Sequence, residues 1–293
     1  MTVYYYTFGC KVNQYETDCL QELMSAKGHF PAPDPKLADI IIINTCTVTG
    51  SADIKLKQLL HRTRRENPES VIAVCGCFPQ IYGDSPLLSL ADVIVGENNK
   101  SELPALIDDF LRDGRRRMSV IPHIKSEGIE PLSLERGSDK TRAIIKIQDG
   151  CDRFCSYCII PFARGSVRSR RPSEILKEAE SLVRAGFKEL ILTGINAALY
   201  GTEQGFVCDI DDTDIENMHG IEIIIHLLDK MPGDFRIRLS SLEPTAVNSD
   251  YVKRLLEYDR LCHHLHRKYI EARTYPPDGR SSGTLHSIPP PLR

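Results

Sequence analysis

The sequence predicts two successive α/β domains, each built on a parallel sheet, and three observations carry that expectation. Short β-branched or aromatic runs alternate with longer helical patterns over about the first 110 residues, as in parallel α/β sheets. A stretch rich in Gly, Pro, Ser and charge follows from about Asp113 to Lys140, with little apolar periodicity. The strand and helix alternation then resumes at Ala143.

In the first domain Val3 to Phe8 reads as a strand, Tyr15 to Lys27 as a helix, Ile40 to Asn44 as a strand and Ala52 to Asn67 as a helix. Val71 to Cys75 supplies a third strand, Val93 to Val95 a short fourth and Glu102 to Arg112 a closing helix. The division expected is a first domain over 1–113, a linker over 114–140 and a second domain over 141–266. In the second domain Ala143 to Ile147 reads as a strand, Pro172 to Ala185 as a helix, Glu189 to Thr193 as a strand and Ile221 to Lys230 as a helix. Phe235 to Leu239 and Leu261 to Leu265 read as further strands. From Arg267 the apolar periodicity is lost, and 267–293 reads as irregular coil rich in Pro, Gly, Ser and Arg.

Ten cysteines with no secretory start argue for metal or redox chemistry rather than a disulfide framework, because cytosolic thiols are kept reduced. The absence of any long apolar run points the same way, to a cytoplasmic chain with no membrane segment. Net charge is only −3, so a nucleic-acid role would rest on local basic clusters such as HRTRR (61–65), RDGRRR (112–117) and ARGSVRSRR (163–171). Solvated helix faces and linker charge are the competing reading of the first two.

Cys10, Cys46 and Cys77 each fall two residues after a predicted strand. The C-terminal ends of parallel strands share one edge, so three cysteines distant in sequence converge there, where open α/β folds bind ligands. Asn13, Asn44, Thr45 and Gly76 suit a tight rim around them, whereas Cys75 belongs more naturally to the strand itself. A buried structural thiol is the alternative for any one of these cysteines taken singly. Cys151, Cys155 and Cys158 form a CxxxCxxC motif after the first strand of the second domain, and no second CxxC pair completes a zinc ribbon. Thiolates select zinc or iron–sulfur clusters, and a cluster held by three cysteines keeps one iron open to a ligand.

CxxxCxxC with Tyr157 before its last cysteine resembles the radical S-adenosylmethionine (SAM) superfamily. With TFGCKVNQYET, NTCTV, GCFPQ, LTGIN and LSSLEP, the chain from roughly Thr2 to His266 resembles the methylthiotransferases of that superfamily. GCKVNQYET is most similar to the branch that converts threonylcarbamoyladenosine at tRNA position 37 to its 2-methylthio derivative. The resemblance implies a flavodoxin-like N-terminal domain and an incomplete radical-SAM (β/α) partial TIM barrel. It also implies two 4Fe–4S clusters, one on Cys151, Cys155 and Cys158 and one on Cys10, Cys46 and Cys77. SAM would be contacted by Tyr157, Thr193, Asn196, Ser240 and Glu243, although polar residues at strand ends are also common caps and turn formers.

The implied partners are tRNA, a low-potential electron donor and a source of sulfur for cluster repair. Arg164, Arg168, Arg170 and Arg171 are candidates for contacts to tRNA phosphates or the SAM carboxylate, with a solvated basic loop as the alternative. A barrel-lining role suits His263, His264 and His266 better than a zinc site. The resemblance leads to the expectation of further barrel units and an RNA-binding TRAM domain after His266. Neither is read in 267–293, so a truncated or frameshifted gene, with doubtful activity, is the expectation. Rival readings are methylthiolation of isopentenyladenosine or of a protein side chain, and a non-catalytic metal-binding remnant.

Overall fold

A computed structural model describes residues 1–124, 128–135, 141–240, 242 and 249–264. Glu243, His266 and the 267–293 tail lie outside them.

The first domain is a six-stranded, all-parallel sheet: β1 (Thr2–Thr7), β2 (Phe30–Pro31), β3 (Ile40–Thr45), β4 (Val71–Gly76), β5 (Val93–Val95) and β6 (Arg117–Ser119). The spatial order β2-β1-β3-β4-β5-β6 is that of the flavodoxin-like doubly wound sheet, with its switch point between β1 and β3. The run Ile40–Ile43 is buried on both faces because helices cover both. Ile40 and Ile42 pack with Leu20 and Met24 of α1 (Lys11–Ala26) and with Leu103 and Ile107 of α4 (Leu103–Asp113). Ile41 and Ile43 pack with Leu56, Leu59 and Leu60 of α2 (Gly50–Glu66). A short α3 begins at Cys77 and runs to Ile81.

β6 lies inside the segment that reads as linker, pairing in register with β5 over Val93–Val95. Its apolar content is too small to stand out in sequence, and the backbone ladder to β5 is what makes it a strand. Further along, Leu132 and Leu134 are buried in the core of the second domain.

That second core surrounds a parallel sheet in the order β11-β10-β7. Its strands are β7 (Arg142–Lys146), β10 (Glu189–Thr193) and β11 (Arg236–Leu239). A two-residue antiparallel ribbon, β8 (Gln148–Asp149) with β9 (Arg168–Ser169), brackets the CxxxCxxC loop and the short α5 (Ile160–Arg164). α6 (Pro172–Arg184) begins with proline at its first position, where no backbone donor is lost. It turns Ile175, Ala179 and Leu182 onto the sheet, the spacing of one helix face. α7 (Ile221–Lys230) adds Ile221, Ile224, Ile225 and Leu228, and α8 (Ser249–Leu255) closes the described part with Leu255.

Leu261 meets β11 only through one parallel bridge to Ile237, so the strand expected from Leu261 is a single contact among the described residues. His263 and His264 beyond it are exposed. No helix among the described residues is long and apolar enough to cross a membrane.

Candidate functional site

α1 is the wedge between the domains. Leu20 and Met24 face the first core while Tyr15 and Cys19 belong to the second. The Tyr15 hydroxyl donates to the Leu132 carbonyl at 2.7 Å and lies 3.2 Å from the Glu178 carboxylate, and Arg170 pairs with the same glutamate. The strand ends of the two sheets are thereby brought to a common cleft.

Cys10 caps the start of α1 after β1, Cys46 follows β3 and Cys77 follows β4, so two of the three flank the switch point. Asn13 organises them: its amide donates to the Thr45 carbonyl at 2.8 Å, and its Oδ1 lies 3.5 Å from the Cys10 thiol. Asn44 donates in turn to the Asn13 carbonyl at 3.0 Å, and Thr45 Oγ1 receives the Phe78 N–H just past Cys77. Gly9 is required here. Its φ is +99°, and a Cβ on it would come 2.6 Å from Cys46 Cβ and 2.7 Å from Cys46 Sγ. Burial raises the Cys46 thiol and pushes Cys77 up to about 12, with Arg164 acting against the shift at Cys77. Cys75, opposite Asn44 in the β3–β4 ladder, belongs to the core of the first domain, and burial likewise raises its thiol to about 12.

Cys151, Cys155 and Cys158 are half-buried on one short loop. Cys151 N–H donates to the Gly165 carbonyl at 3.0 Å, and Cys158 N–H to the Cys155 carbonyl at 2.9 Å. Gly150, at φ +71°, lets the loop pass the β9 arm, since a Cβ there would lie 1.9 Å from the Ser166 carbonyl oxygen. Phe154 holds a positive φ of 45°, the one non-glycine residue to do so among the described residues. All ten cysteines are free of disulfides. Among the described residues neither trio draws three sulfurs within 4.8 Å of one another.

A cavity of about 610 Å³ joins the domains. Cys10, Cys46 and Cys77 line one wall, and Thr193, Gly194 and Ser240 line the other. Thr193 Oγ1 and Ser240 Oγ are 3.2 Å apart across the β10 and β11 ends. Asn196 is buried, and its N–H donates to Gln148 Oε1 at 2.9 Å. Tyr157 is exposed in a neighbourhood that also holds the edge-to-face pair Phe154 and Phe162, 6.0 Å apart.

The arginines stand differently from the phosphate-contact expectation. Arg164 is 1% exposed; its Nη1 lies 3.0 Å from Glu16, 2.9 Å from Glu97 and 3.0 Å from Asp149, while Nη2 donates to Asn13 Oδ1 at 2.8 Å. Arg168 is buried against Asn98 and the Arg164 carbonyl, and Arg170 against Glu178, Tyr15 and the Lys146 carbonyl. Charges this deep need partners, and protein carboxylates and carbonyls provide them here, so these three do not present their guanidinium groups to a phosphate. Arg171 alone of the four is exposed.

Around Arg164, Lys100 and Lys146 meet Glu16, Glu97 and Asp149 in a cage shared by both domains. Burial works against the charge on Glu16 and Asp149, but the surrounding cations outweigh it and hold both carboxyls well below the usual range. The carboxylate trio Glu16, Glu97 and Asp149 could draw a metal by distance alone, yet its charge is already balanced by the three cations. Sequence reading missed this cage. The available signal was a charged residue on an otherwise apolar face: Glu16 in α1, and Lys146 and Asp149 around an apolar strand.

Two family models match this architecture: the uncharacterized protein family UPF0004 over residues 2–96 and the radical SAM superfamily over residues 145–266. The threonylcarbamoyladenosine tRNA methylthiotransferase MtaB of Bacillus subtilis is 37% identical over 270 residues, spanning 90% of this chain and 56% of the relative. Over these regions the chain is similar to the radical SAM methylthiotransferases, and residues 145–266 match the radical SAM superfamily. The MtaB of Thermotoga maritima is 35% identical, spanning 90% of this chain and 57% of the relative. The tRNA-2-methylthio-N(6)-dimethylallyladenosine synthase of Pelotomaculum thermopropionicum is 34% identical, spanning 88% and 57%. The chain thus spans little more than half the length of these relatives. Among solved structures, the radical S-adenosylmethionine methyltransferase TsrM of Kitasatospora setae, with cobalamin and a 4Fe–4S cluster bound, is similar in fold. The TM-score is 0.53 at 11% identity, over 87% of this chain and 56% of that one. The radical SAM family implies an iron–sulfur cluster and SAM for this chain.

Proposed function

We propose that this chain carries the methylthiolation machinery for carbon 2 of N6-threonylcarbamoyladenosine at position 37 of tRNA. The observation that supports it is the single cavity walled by Cys10, Cys46 and Cys77 on one side and by the β10 and β11 ends on the other. Cys151, Cys155 and Cys158 would hold one iron–sulfur cluster, and Cys10, Cys46 and Cys77 a second. When bound, the clusters and SAM supply the electron, radical and sulfur chemistry that an unactivated aromatic carbon requires.

The chain's own residues hold the pieces together. Arg164 and its carboxylate cage lock the second domain onto α1, so the two cysteine sites keep one relative position. Thr193, Asn196, Ser240 and Tyr157 are the residues offered to SAM, with Glu243 beyond the described residues. Val12, Val48, Ile160 and Ile195 line the cavity with apolar surface, which excludes water from a reactive site. Arg171 is the exposed arginine left to contact RNA, and a low-potential donor and a sulfur source complete the set of partners.

The test is expression of the chain in a strain that lacks its own threonylcarbamoyladenosine methylthiotransferase, followed by mass spectrometry of tRNA nucleosides. The expected result is the 2-methylthio derivative, together with about eight irons per chain in anaerobically reconstituted protein. Iron near half that value with no methylthio product would sink the two-cluster reading.

A further inference from the structure

Two lysines line the interdomain cavity with no carboxylate beside them among its lining residues. Lys11, the first residue of α1, and Lys55, in the second turn of α2, both line it and both are exposed. Neither makes an ion pair or hydrogen bond through its ammonium group among the described residues. No carboxylate among the described residues lines the cavity. The nearest acid in sequence on α2, Asp53, is turned to the Thr47 hydroxyl at 2.7 Å. Arg164, the third cation on the wall, is consumed by Glu16, Glu97 and Asp149. Buried Lys100 and Lys146 are likewise paired. Two lysines are therefore left on a partly apolar wall with no carboxylate partner among the described residues.

The relatives' two nucleosides differ in the chemistry such lysines recognise. A threonylcarbamoyl substituent ends in a carboxylate and a hydroxyl, whereas a dimethylallyl substituent is a neutral hydrocarbon. Lysine ammonium groups strengthen binding of the first through charge-assisted hydrogen bonds and offer the second nothing. We infer that Lys11 and Lys55 are specificity-determining residues that hold the threonine carboxylate of the substrate base. The inference rests on the proposed methylthiolation reading and deepens it. A backbone phosphate carries the same charge, so the experiment separates the two sources.

Fluorescence anisotropy of the reconstituted full chain would compare three anticodon hairpins, alike except at position 37. One carries threonylcarbamoyladenosine, one its methyl ester and one dimethylallyladenosine. The wild type is expected to bind the first about tenfold or more tightly than either other, the scale of one hydrogen bond to a charged group. Lys11→Gln with Lys55→Gln should erase that preference while affinity for the dimethylallyl hairpin stays within about twofold, and Lys11→Arg with Lys55→Arg should keep it. Equal weakening toward all three hairpins would assign the lysines to phosphates and overturn the inference. An unchanged preference in the Gln pair would overturn it too, as expected if the lysines only balanced the charge of a neighbouring cluster. Failure of the wild type to prefer any of the three over an unmodified hairpin would instead overturn the methylthiolation reading, and the inference with it.

Discussion

Cys10, Cys46 and Cys77 reach their site from three strand ends far apart in the chain, whereas Cys151, Cys155 and Cys158 share one short loop. The first trio depends on the whole sheet: its edge exists only when β1, β3 and β4 are paired in register. The second depends on a local turn braced by the β8 and β9 ribbon. Burial differs accordingly, with Cys46 and Cys77 buried and all three loop cysteines half-buried. A site made by topology is costly to disturb anywhere along the sheet, while a site made by a loop can be lost without unfolding its domain.

Four experiments press on that contrast, and a fifth checks its boundary. The largest effect is expected from single Cys→Ala changes. On the proposed two-cluster reading, Cys77→Ala and Cys155→Ala should each abolish methylthiolation and remove about half of the iron, leaving the other cluster in place. Iron and sulfide analysis with electron paramagnetic resonance of each variant would show which cluster is lost, and loss of all iron from either variant would mean that the sites are not independent.

Next in size is the cage between them. Arg164→Gln leaves Glu16, Glu97 and Asp149 short of a cation in a buried setting, which costs about 3–5 kcal/mol. The urea midpoint should fall accordingly, and limited proteolysis should then cut between the domains.

The glycines are expected to act separately. Gly9→Ala would press on Cys46 and Gly150→Ala on the Ser166 carbonyl, each straining the backbone by about 1–3 kcal/mol. Gly9→Ala should impair only the N-terminal cluster and Gly150→Ala only the loop cluster, read by the same spectroscopy.

The cage also sets a pH dependence. Glu16 and Asp149 have folded pKa values below their unfolded ones, so their contribution to stability is complete above the usual carboxylate range, about pH 4. It is lost as the pH falls below that range. Glu178, raised chiefly by burial, works in the opposite sense. Urea midpoints between about pH 7 and pH 3.5 should therefore fall less in Arg164→Gln than in the wild type, because the variant has already lost the cation that depresses both carboxyls.

The smallest effect is expected for Cys75→Ala. Cys75 belongs to the buried core of the first domain, so a loss of about 1 kcal/mol is expected in a urea titration, with full iron content. Loss of iron in this variant would move Cys75 into the site.

Much of this architecture was legible from local signals. The β-branched run at Ile40–Ile43 and the helical spacing of Ile175, Ala179 and Leu182 both gave elements close to those observed, because periodicity reports which face is buried. The brief strand Arg117–Ser119 was not legible, since three residues with one apolar side chain carry no period and only the neighbouring β5 makes them a strand. The arginines after the cysteine loop read as a basic cluster because composition registers charge without registering what covers it.

By itself the sequence determined the parallel α/β class, the placing of three cysteines at strand ends and the spacing of three more on one loop. These are properties of short stretches and of the rule that parallel strands end on a common edge. Only the tertiary structure decided that Arg164, Arg168 and Arg170 are buried, that Glu16 faces across α1 into the other domain, and that Lys11 and Lys55 share a cavity with the cysteines. Burial and pairing belong to two surfaces at once, and the second surface comes from residues far along the chain.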